Sequence, residues 1–387
     1  MNKRNTHRTI DVSGGSKERA FLVAVDTRKN DWPAEASLDE LAQLAATAGA
    51  QVVGRLTQRL PFPSRTHYLG EGKLGELLVL KNSANYNLVI IDDELTPNQQ
   101  RNLEDALQVK IIDRVALILD IFARRARTRE GQLQVALAQL EYLYPRLAGQ
   151  WSHLERLGGG IGTRGPGESQ IETDRRIIQK KIQRLKQQIE QVRKHRELYR
   201  QKRKKTGIPV VALVGYTNTG KSTLLNALSK ANVFVENKLF ATLDPTTRRL
   251  SLPDNSPVLV TDTVGFIRKL PPTIITAFRA TLEELSEASI LVHVVDFSSP
   301  EAAQQCQAVE DILRELGLSD KPRITALNKI DLALDKETKW TEEAALGYFS
   351  AQVPPEPNTV LISAGKRWGF AQLMDLIQAL TKTAAAL

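Results

Sequence analysis

Residues 210–228 read VVALVGYTNTGKSTLLNAL and join an apolar run, a glycine-containing loop and a segment with helical periodicity. The loop follows the pattern GxxxxGKS, which between a strand and a helix is typical of a phosphate-binding P-loop. Gly215 and Gly220 let the backbone amides turn toward phosphates, helped by the positive helix N-terminus. Lys221 is predicted to bridge the β- and γ-phosphates, and the Ser222 hydroxyl to bind Mg²⁺. The predicted nucleotide contacts in this loop are Gly215, Tyr216, Thr217, Asn218, Thr219, Gly220, Lys221, Ser222 and Thr223.

A second motif, LVTDTVGF at 259–266, follows the P-loop and also ends an apolar run. Asp262 is predicted to hold Mg²⁺ through water, and the Gly265 amide to meet the γ-phosphate. Phe266 comes next, and an apolar side chain cannot orient the attacking water, so slow intrinsic turnover is expected.

Two further motifs predict which base is bound. RITALNKID at 323–331 supplies Asn328, Lys329 and Asp331, and VLISAGK at 360–366 supplies the predicted base contacts Ser363, Ala364 and Gly365. The Asp331 carboxylate can accept two hydrogen bonds from guanine, whereas adenine would leave it buried and unpaired. The four motifs in this order predict a GTP-binding domain that is a doubly wound P-loop GTPase.

The segment ATLDPTTRRL at 241–250 lies between these motifs, where a threonine must supply a second hydroxyl to Mg²⁺ and release it after hydrolysis. Thr246 and Thr247 are the two candidates. Lys221, Gly265 and one of these two threonines are the predicted catalytic residues.

The rest of the composition is that of a soluble globular protein. The 387 residues suggest two to three domains, and no run approaches the roughly 20 apolar residues of a membrane span. The N-terminus has no apolar segment typical of a secretory signal, and the one cysteine, Cys306, excludes an internal disulfide. A cytoplasmic protein is expected, with residues 1–19 as a flexible tail.

The positive charge is concentrated in one stretch. Residues 171–205 contain 14 Lys or Arg and 4 acidic residues, while the rest of the chain has 39 basic and 40 acidic residues. Such a stretch favours phosphate contacts on a nucleic acid, although a solvated helix face is the alternative. A second arginine cluster, at 124–129, also favours nucleic acid.

The segments before the P-loop predict two more domains. Residues 20–115 alternate short apolar runs with helical segments, which is typical of an α/β domain with a parallel sheet. Residues 116–206 predict an antiparallel helical hairpin with a loop at 151–175, because apolar residues recur at spacings of four and three on both sides of that loop. The GTPase domain would then occupy residues 207–387.

The loop of that hairpin is glycine-rich at 157–168, with arginines around it. Bare backbone amides and guanidinium groups suit RNA, although a plain flexible connector is the alternative. The heptads could instead mediate homodimerisation; a monomer is expected. The predicted RNA contacts are Arg156, Gly158, Gly159, Gly160, Arg164, Gly165, Arg175 and Arg176.

The sequence resembles the HflX family of ribosome-associated GTPases. The resemblance runs from residue 39 onward and includes YLGEGKLGEL, DDELTPNQQRNLE, the stretch from IIDRVALILDIF to LEYLYPRL, GGGIGTRGPGESQIETDRR and the four motifs above. It implies binding to the large ribosomal subunit and its rRNA in the GTP state, with the hairpin loop reaching toward the peptidyl transferase centre, and dissociation of stalled or idle ribosomes.

The resemblance also bears on individual sites. It favours Thr247 over Thr246 as the magnesium ligand and the third catalytic residue, because in the family an arginine directly follows the magnesium ligand. In similar GTPases an asparagine at the position of Asn218 can bind K⁺; a loop-stabilising hydrogen bond is the alternative. ATP hydrolysis through the N-terminal domain is implied too, but residues 1–114 contain no Walker-type motif. Some members carry a further small domain, whereas this sequence ends after a predicted helix at 370–380.

Two other functions remain open. The first is an ATP- or GTP-driven, helicase-like enzyme that remodels rRNA, which predicts hydrolysis indifferent to the base. The second is a GTP-regulated module that dimerises through its heptads and binds protein, which predicts no dependence on RNA.

Overall fold

The computed structural model describes residues 18–27, 32–150, 166–205, 207–229, 239–269, 274, 284–335, 337–352 and 356–385. The chain divides into two compact units, Met1–Leu117 and Ile118–Leu387. Among the described helices, none combines the length and the apolar composition that crossing a membrane requires. Most of the predicted tail, residues 1–17, lies outside the described residues, and Arg19 already belongs to the first strand.

The first unit is a parallel α/β layer, as the sequence predicts. Its strands are β1 (Arg19–Asp26), β2 (Gln51–Arg59), β3 (Leu88–Ile91) and β4 (Lys110–Asp113), in the order β2-β1-β3-β4 with every pair parallel. Helices α1 (Ala34–Thr47), α2 (Glu71–Ala84) and α3 (Pro97–Leu107) connect them. The central strands β1 and β3 are apolar and buried because a parallel sheet is covered on both faces.

The helix α3 starts with a capping box formed by Thr96 and Gln99. The Thr96 hydroxyl accepts the Gln99 amide at 3.3 Å, and the Gln99 side chain accepts the Thr96 amide at 2.9 Å. Pro97 occupies the first turn, where its missing N–H costs nothing.

Within the described ranges, three helices lie between the two sheets: α4 (Arg114–Arg125), α5 (Arg129–Gln150) and α6 (Pro166–Lys205). Helices α5 and α6 run antiparallel, as predicted, because successive residues of α6 contact successively earlier residues of α5. The contacts are Gln179 with Tyr144 at 2.6 Å, Lys186 with Glu141 at 2.8 Å and Arg196 with Glu130 at 3.1 Å.

The structure corrects the length of the predicted hairpin loop. The helix α6 begins at Pro166, so residues 166–175 are helical and were wrongly assigned to the loop. Proline is compatible with the first turn of a helix, and only one glycine, Gly167, falls inside this turn. Residues 151–165 lie outside the described residues.

The second sheet has six strands, β5 (Val210–Val214), β6 (Thr246–Ser251), β7 (Pro257–Asp262), β8 (Ile290–Asp296), β9 (Arg323–Asn328) and β10 (Thr359–Leu361). Their order is β10-β9-β8-β5-β7-β6, and all pairs are parallel except β6 with β7. Helices α7 (Lys221–Leu228), α8 (Ala302–Glu315), α9 (Glu342–Ser350) and α10 (Phe370–Ala385) accompany the sheet. This doubly wound arrangement brings the carboxyl ends of β5, β7, β8 and β9 to one edge, where ligands bind in such folds.

Candidate functional site

The predicted P-loop joins β5 to α7 and borders a pocket of about 280 Å³. Gly215 and Gly220 have φ angles of 147° and 94°, in the region that favours glycine. A Cβ at Gly215 would collide with the Val294 carbonyl oxygen, and one at Gly220 with the Asn328 side chain. The residues lining the pocket are Thr217, Asn218, Gly220, Lys221, Ser222, Thr223, Phe240, Ala241, Thr242, Thr263, Gly265, Lys329 and Leu332.

Lys221 is buried and turned onto its own loop. Its Nζ donates to the carbonyl oxygens of Gly215 at 3.1 Å and of Tyr216 at 2.6 Å. Burial lowers the pKa of Lys221 to about 8, and the Asp262 carboxylate opposes this shift. A phosphate group in the pocket would compensate the buried charge far better than neutral carbonyls can.

Ser222 and Asp262 meet beside the pocket. The Ser222 hydroxyl donates to Asp262 Oδ2 at 2.6 Å, while Asp262 Oδ1 is buried with no hydrogen-bond partner among the described residues. Burial raises the pKa of Asp262, and the hydrogen bond from Ser222 and the charge of Lys221 oppose that shift. An orphaned carboxylate oxygen beside a hydroxyl fits the hard oxygen ligands that Mg²⁺ prefers.

The threonine in this cluster is Thr242, not Thr247. Thr242 Oγ1 lies 2.7 Å from Ser222 Oγ. Thr246 and Thr247 belong to β6, where Thr247 pairs with Thr261 of β7 and their hydroxyls are 2.9 Å apart. The preference for Thr247 as the magnesium ligand therefore disagrees with the structure, because the ladder holds this side chain against β7. Thr242 precedes the strand, in irregular backbone that can reach the pocket.

The segment after β7 lies against the P-loop. The Thr217 amide donates to the Phe266 carbonyl at 2.6 Å, and the Phe266 amide donates to the Gly215 carbonyl at 3.0 Å. A Cβ at Gly265 would lie 2.6 Å from Thr217 Cα, so only glycine fits there. The Tyr216 hydroxyl accepts the Arg268 amide at 2.9 Å, a contact that the sequence did not predict.

The two base motifs are brought together around Asn328. Its side chain donates to the Thr219 carbonyl at 2.7 Å and accepts the Ala364 amide at 2.9 Å, which joins the P-loop to the 360–366 segment. Asp331 accepts the Ser363 hydroxyl at 2.7 Å. This hydrogen bond orients the carboxylate that was predicted to read guanine.

Lys329 joins the base motif to the P-loop. Its Nζ donates to the Asn218 carbonyl at 2.8 Å and to Asp296 Oδ2 at 2.6 Å. Asp296 was missed in the sequence, although its position at the carboxyl end of β8 was a signal for it. Asn218 lines the pocket with a φ of 63°, and its role toward K⁺ stays a prediction.

The predicted RNA contacts are described only in part. Arg175 and Arg176 are exposed on α6, whereas Arg156, Gly158, Gly159, Gly160, Arg164 and Gly165 lie outside the described residues. Along α6, the apolar positions Ile178, Ile182, Leu185, Ile189 and Val192 are half-buried. The basic residues between them that are exposed are Lys180, Lys181, Arg184, Lys186, Arg193 and Lys194.

Comparisons with known proteins agree with this site. Three family models match the chain: "GTP-binding GTPase N-terminal" at residues 35–123, "GTP-binding GTPase Middle Region" at 125–203 and "50S ribosome-binding GTPase" at 210–329. A solved complex of the protein SsGBP with GDP is 26% identical, has a TM-score of 0.50, and the match covers 95% of this chain and 99% of that one. The fold and the pocket thus define a P-loop GTPase, which binds GTP and GDP and hydrolyses GTP.

Curated relatives identify the family. The chain is 56% identical over 364 residues to the GTPase HflX of Caldanaerobacter subterraneus subsp. tengcongensis, covering 94% of this chain and 80% of that protein. It is 43% identical over 366 residues to the GTPase HflX of Escherichia coli, covering 94% and 82%. The chain belongs to the HflX family of GTPases.

Proposed function

We propose that this GTPase binds the large ribosomal subunit in its GTP state, dissociates stalled or idle ribosomes, and is released when GTP is hydrolysed. The observation that carries the proposal is the exposed basic face of α6, which belongs to the same compact unit as the nucleotide pocket. A dense row of cations releases counterions from RNA phosphates, which gives binding energy without sequence specificity. The family model described as a 50S ribosome-binding GTPase supports this choice of RNA. Such a function belongs to the cytoplasm.

We assign three parts to this function, an α/β domain at 20–115, a basic hairpin at 116–206 and a GTPase domain at 207–387. The exposed Arg175 and Arg176 support RNA contact by the hairpin. The glycine-rich residues 157–165 remain the proposed tip.

In the GTPase domain, the proposed phosphate contacts are the P-loop amides from Gly215 to Thr223, Lys221 and the Gly265 amide. Bound Mg²⁺ would neutralise charge that develops on the phosphate oxygens during hydrolysis. Ser222, Thr242 and, through water, Asp262 would hold it. We assign Thr242 in place of Thr247 because its hydroxyl already lies at Ser222.

For the base, we propose that Asp331 accepts the guanine ring N–H and amino group, with Ser363, Ala364 and Gly365 facing the guanine carbonyl. The hydrogen bond from Ser363 supports this role because it fixes the carboxylate in one orientation. Because Phe266 is buried and apolar, the free protein is expected to hydrolyse GTP slowly.

The GTPase rate with and without purified large ribosomal subunits tests the coupling. Subunits are expected to raise the rate by about ten-fold or more, which is a barrier change of about 1.4 kcal/mol. A rate that is unchanged by subunits would contradict the proposal. Equal hydrolysis of ATP would favour the RNA-remodelling alternative instead.

A matched pair of triple variants tests the basic face. Lys180→Glu, Lys181→Glu and Arg184→Glu are expected to weaken subunit binding and to reduce the slope of log affinity against log salt by up to about three. The control carries the same charge change at exposed residues elsewhere, Lys110→Glu, Arg314→Glu and Lys382→Glu. Equal losses of subunit affinity in the two triple variants would mean that α6 contributes only through the net charge of the protein.

A further inference from the structure

Residues 239–245, which we call the switch segment, contact both the nucleotide pocket and the helices at the base of the hairpin. Thr242 of this segment lies at the proposed magnesium site, 2.7 Å from Ser222. Two residues before it, Phe240 packs on α4, and two residues after it, Asp244 reaches α5. These contacts connect the nucleotide pocket with the helices that precede the GTPase sheet.

Asp244 binds the two residues that lead into α5 and so caps the start of this helix, although it is more than 100 residues away in sequence. Its Oδ2 accepts the backbone amides of Arg127 at 2.8 Å and of Thr128 at 2.9 Å, and its Oδ1 accepts the Thr128 hydroxyl. The Thr128 hydroxyl in turn accepts the Gly131 amide at 3.1 Å. The carboxylate thus holds the backbone amides of the N-cap residue and of the residue before it, and its charge suits the positive end of the helix.

Gly131 in the first turn of α5 fits this contact. Glycine is normally unfavourable inside a helix, by about 1 kcal/mol relative to alanine. Here a Cβ at Gly131 would collide with Asp244 Oδ1. The close approach of Asp244 therefore explains why residue 131 is a glycine, whereas helix propensity does not.

Phe240 makes the second contact of the switch segment. Its ring meets Phe122 of α4 edge to face, with centroids 4.8 Å apart and an interplanar angle of 85°. Both rings are buried, and the Phe240 amide donates to the Thr217 hydroxyl of the P-loop at 3.1 Å. The segment is held from both sides of Thr242.

Thr242 and Asp244 are too close in the chain to move independently. Two residues span at most about 7 Å, so a displacement of Thr242 by several ångströms pulls on Asp244. The two contacts coexist in the structure, so a ligand that holds Thr242 at Ser222 favours the state in which Asp244 caps α5.

We propose that Asp244 is a positioning residue that couples the nucleotide to the base of the helical hairpin. The inference rests on the proposed assignment of Thr242 to magnesium. With Mg²⁺ and a γ-phosphate present, Thr242 is held and Asp244 stays on the amides of Arg127 and Thr128. With GDP, Thr242 is released and the cap opens. Because coupling is reciprocal, a partner that fixes the hairpin strengthens binding of the triphosphate by the same factor.

Amide hydrogen exchange of the full chain tests this without ribosomes. The amides of residues 127–131 are expected to exchange about ten-fold more slowly with Mg²⁺ and a non-hydrolysable GTP analogue than with GDP. In Asp244→Asn this ratio is expected to fall to about one, because the neutral side chain loses the charge-assisted hydrogen bonds to the two amides and places an NH₂ group where an oxygen accepts the Thr128 hydroxyl. The preference for the analogue over GDP should fall about five-fold or more in the same variant.

Two further variants separate coupling from simple helix stability. Gly131→Ala improves the helix propensity of α5 but excludes Asp244. The coupling predicts loss of the nucleotide-dependent ratio. If helix stability alone sets the exchange rate, exchange should be slower with both nucleotides and the ratio unchanged. Asp254→Asn makes the same chemical change at an exposed turn carboxylate that pairs with Lys382, and it should leave the ratio unchanged. Should Asp244→Asn fail to fold, Gly131→Ala carries the test.

Each outcome decides the proposal. Equal exchange with the two nucleotides in the unsubstituted protein would overturn it, and so would a nucleotide-dependent ratio that survives both Asp244→Asn and Gly131→Ala. Failure of large subunits to stimulate hydrolysis would overturn the proposed function instead, since no subunit is present in the exchange experiment.

Discussion

The two parallel sheets of this protein have related architectures but different carboxyl edges. At the edge of the first sheet, Arg114 is buried between Asp92, 2.8 Å away, and Glu40, and Asp92 also accepts the Ser37 hydroxyl at 2.7 Å. Asp113 accepts backbone amides of Leu95 and Ala116. These charges are compensated by groups of the same unit, so they hold the loops after the strands together.

At the same edge of the second sheet, compensation is incomplete. Lys221 is buried against neutral carbonyls, and Asp262 has an oxygen without a described partner. Burying a charge in this way is unfavourable unless something else supplies the missing interactions. The comparison indicates that a shared fold does not determine function by itself. Incompletely compensated charge beside a pocket is better evidence of a functional site.

The largest expected effect comes from breaking the compensated edge. Arg114→Leu removes the cation that lies between Asp92 and Glu40, so the free energy of unfolding of the first unit should fall by about 3–5 kcal/mol. Urea denaturation followed by circular dichroism measures this. Arg55→Leu, which removes an exposed pair with Asp39, should cost about 1 kcal/mol or less. Similar losses in both variants would contradict the account of this edge.

The second prediction concerns the base. Asp331→Asn should weaken GTP binding by about 10- to 100-fold, because the amide cannot accept both guanine donors. Xanthine carries a carbonyl where guanine has its amino group, so the variant should bind xanthosine triphosphate better than GTP. Nucleotide titration measures both affinities. Unchanged GTP affinity would show that Asp331 does not contact the base.

The third prediction separates the candidate threonines. Thr242→Ala should lower the Mg²⁺-dependent GTPase rate by about ten-fold or more, since it removes a proposed metal ligand. Thr247→Ala removes a hydroxyl contact with Thr261 within the β6–β7 ladder and should change the rate by less than about two-fold. Steady-state rates at several Mg²⁺ concentrations measure this. The reverse order would restore Thr247 as the ligand.

The smallest effect is a pH dependence of nucleotide binding. Burial lowers the pKa of Lys221 to about 8, and phosphate groups would raise it. Below about pH 8 the ammonium is already protonated, so affinity for GDP should be flat. Above it, binding must take up a proton, so affinity should fall by up to about ten-fold per pH unit. Calorimetry of GDP binding at about pH 9, in two buffers with different ionisation heats, measures the proton uptake. Binding without proton uptake would contradict the prediction that Lys221 becomes protonated when GDP binds.

The sequence predicted the parts of the site that regular structure holds in place. The P-loop, Asp262 and Asn328 all lie where a strand ends, and strands are recognisable from apolar runs with glycine-rich or polar residues after them. The alternation of strands and helices also predicted the first sheet. Local patterns suffice where neighbouring residues decide the conformation.

The parts that failed depend on contacts between distant residues. Three threonines stand within six residues, and the register of β6 against β7, which no local pattern determines, decides that Thr242 and not Thr247 reaches Ser222. The start of α6 at Pro166 was missed because glycines around it favour a loop, although packing against α5 stabilises the helix farther along. Asp244 gave no local signal because the amides that it caps lie more than 100 residues earlier.

Co-sedimentation with purified large ribosomal subunits tests the central claim most directly, namely that the nucleotide in the second sheet's pocket controls binding of RNA by the helical hairpin. The protein should pellet with subunits in the presence of Mg²⁺ and a non-hydrolysable GTP analogue, and remain largely in the supernatant with GDP. Equal pelleting with both nucleotides, or none with either, would contradict the account.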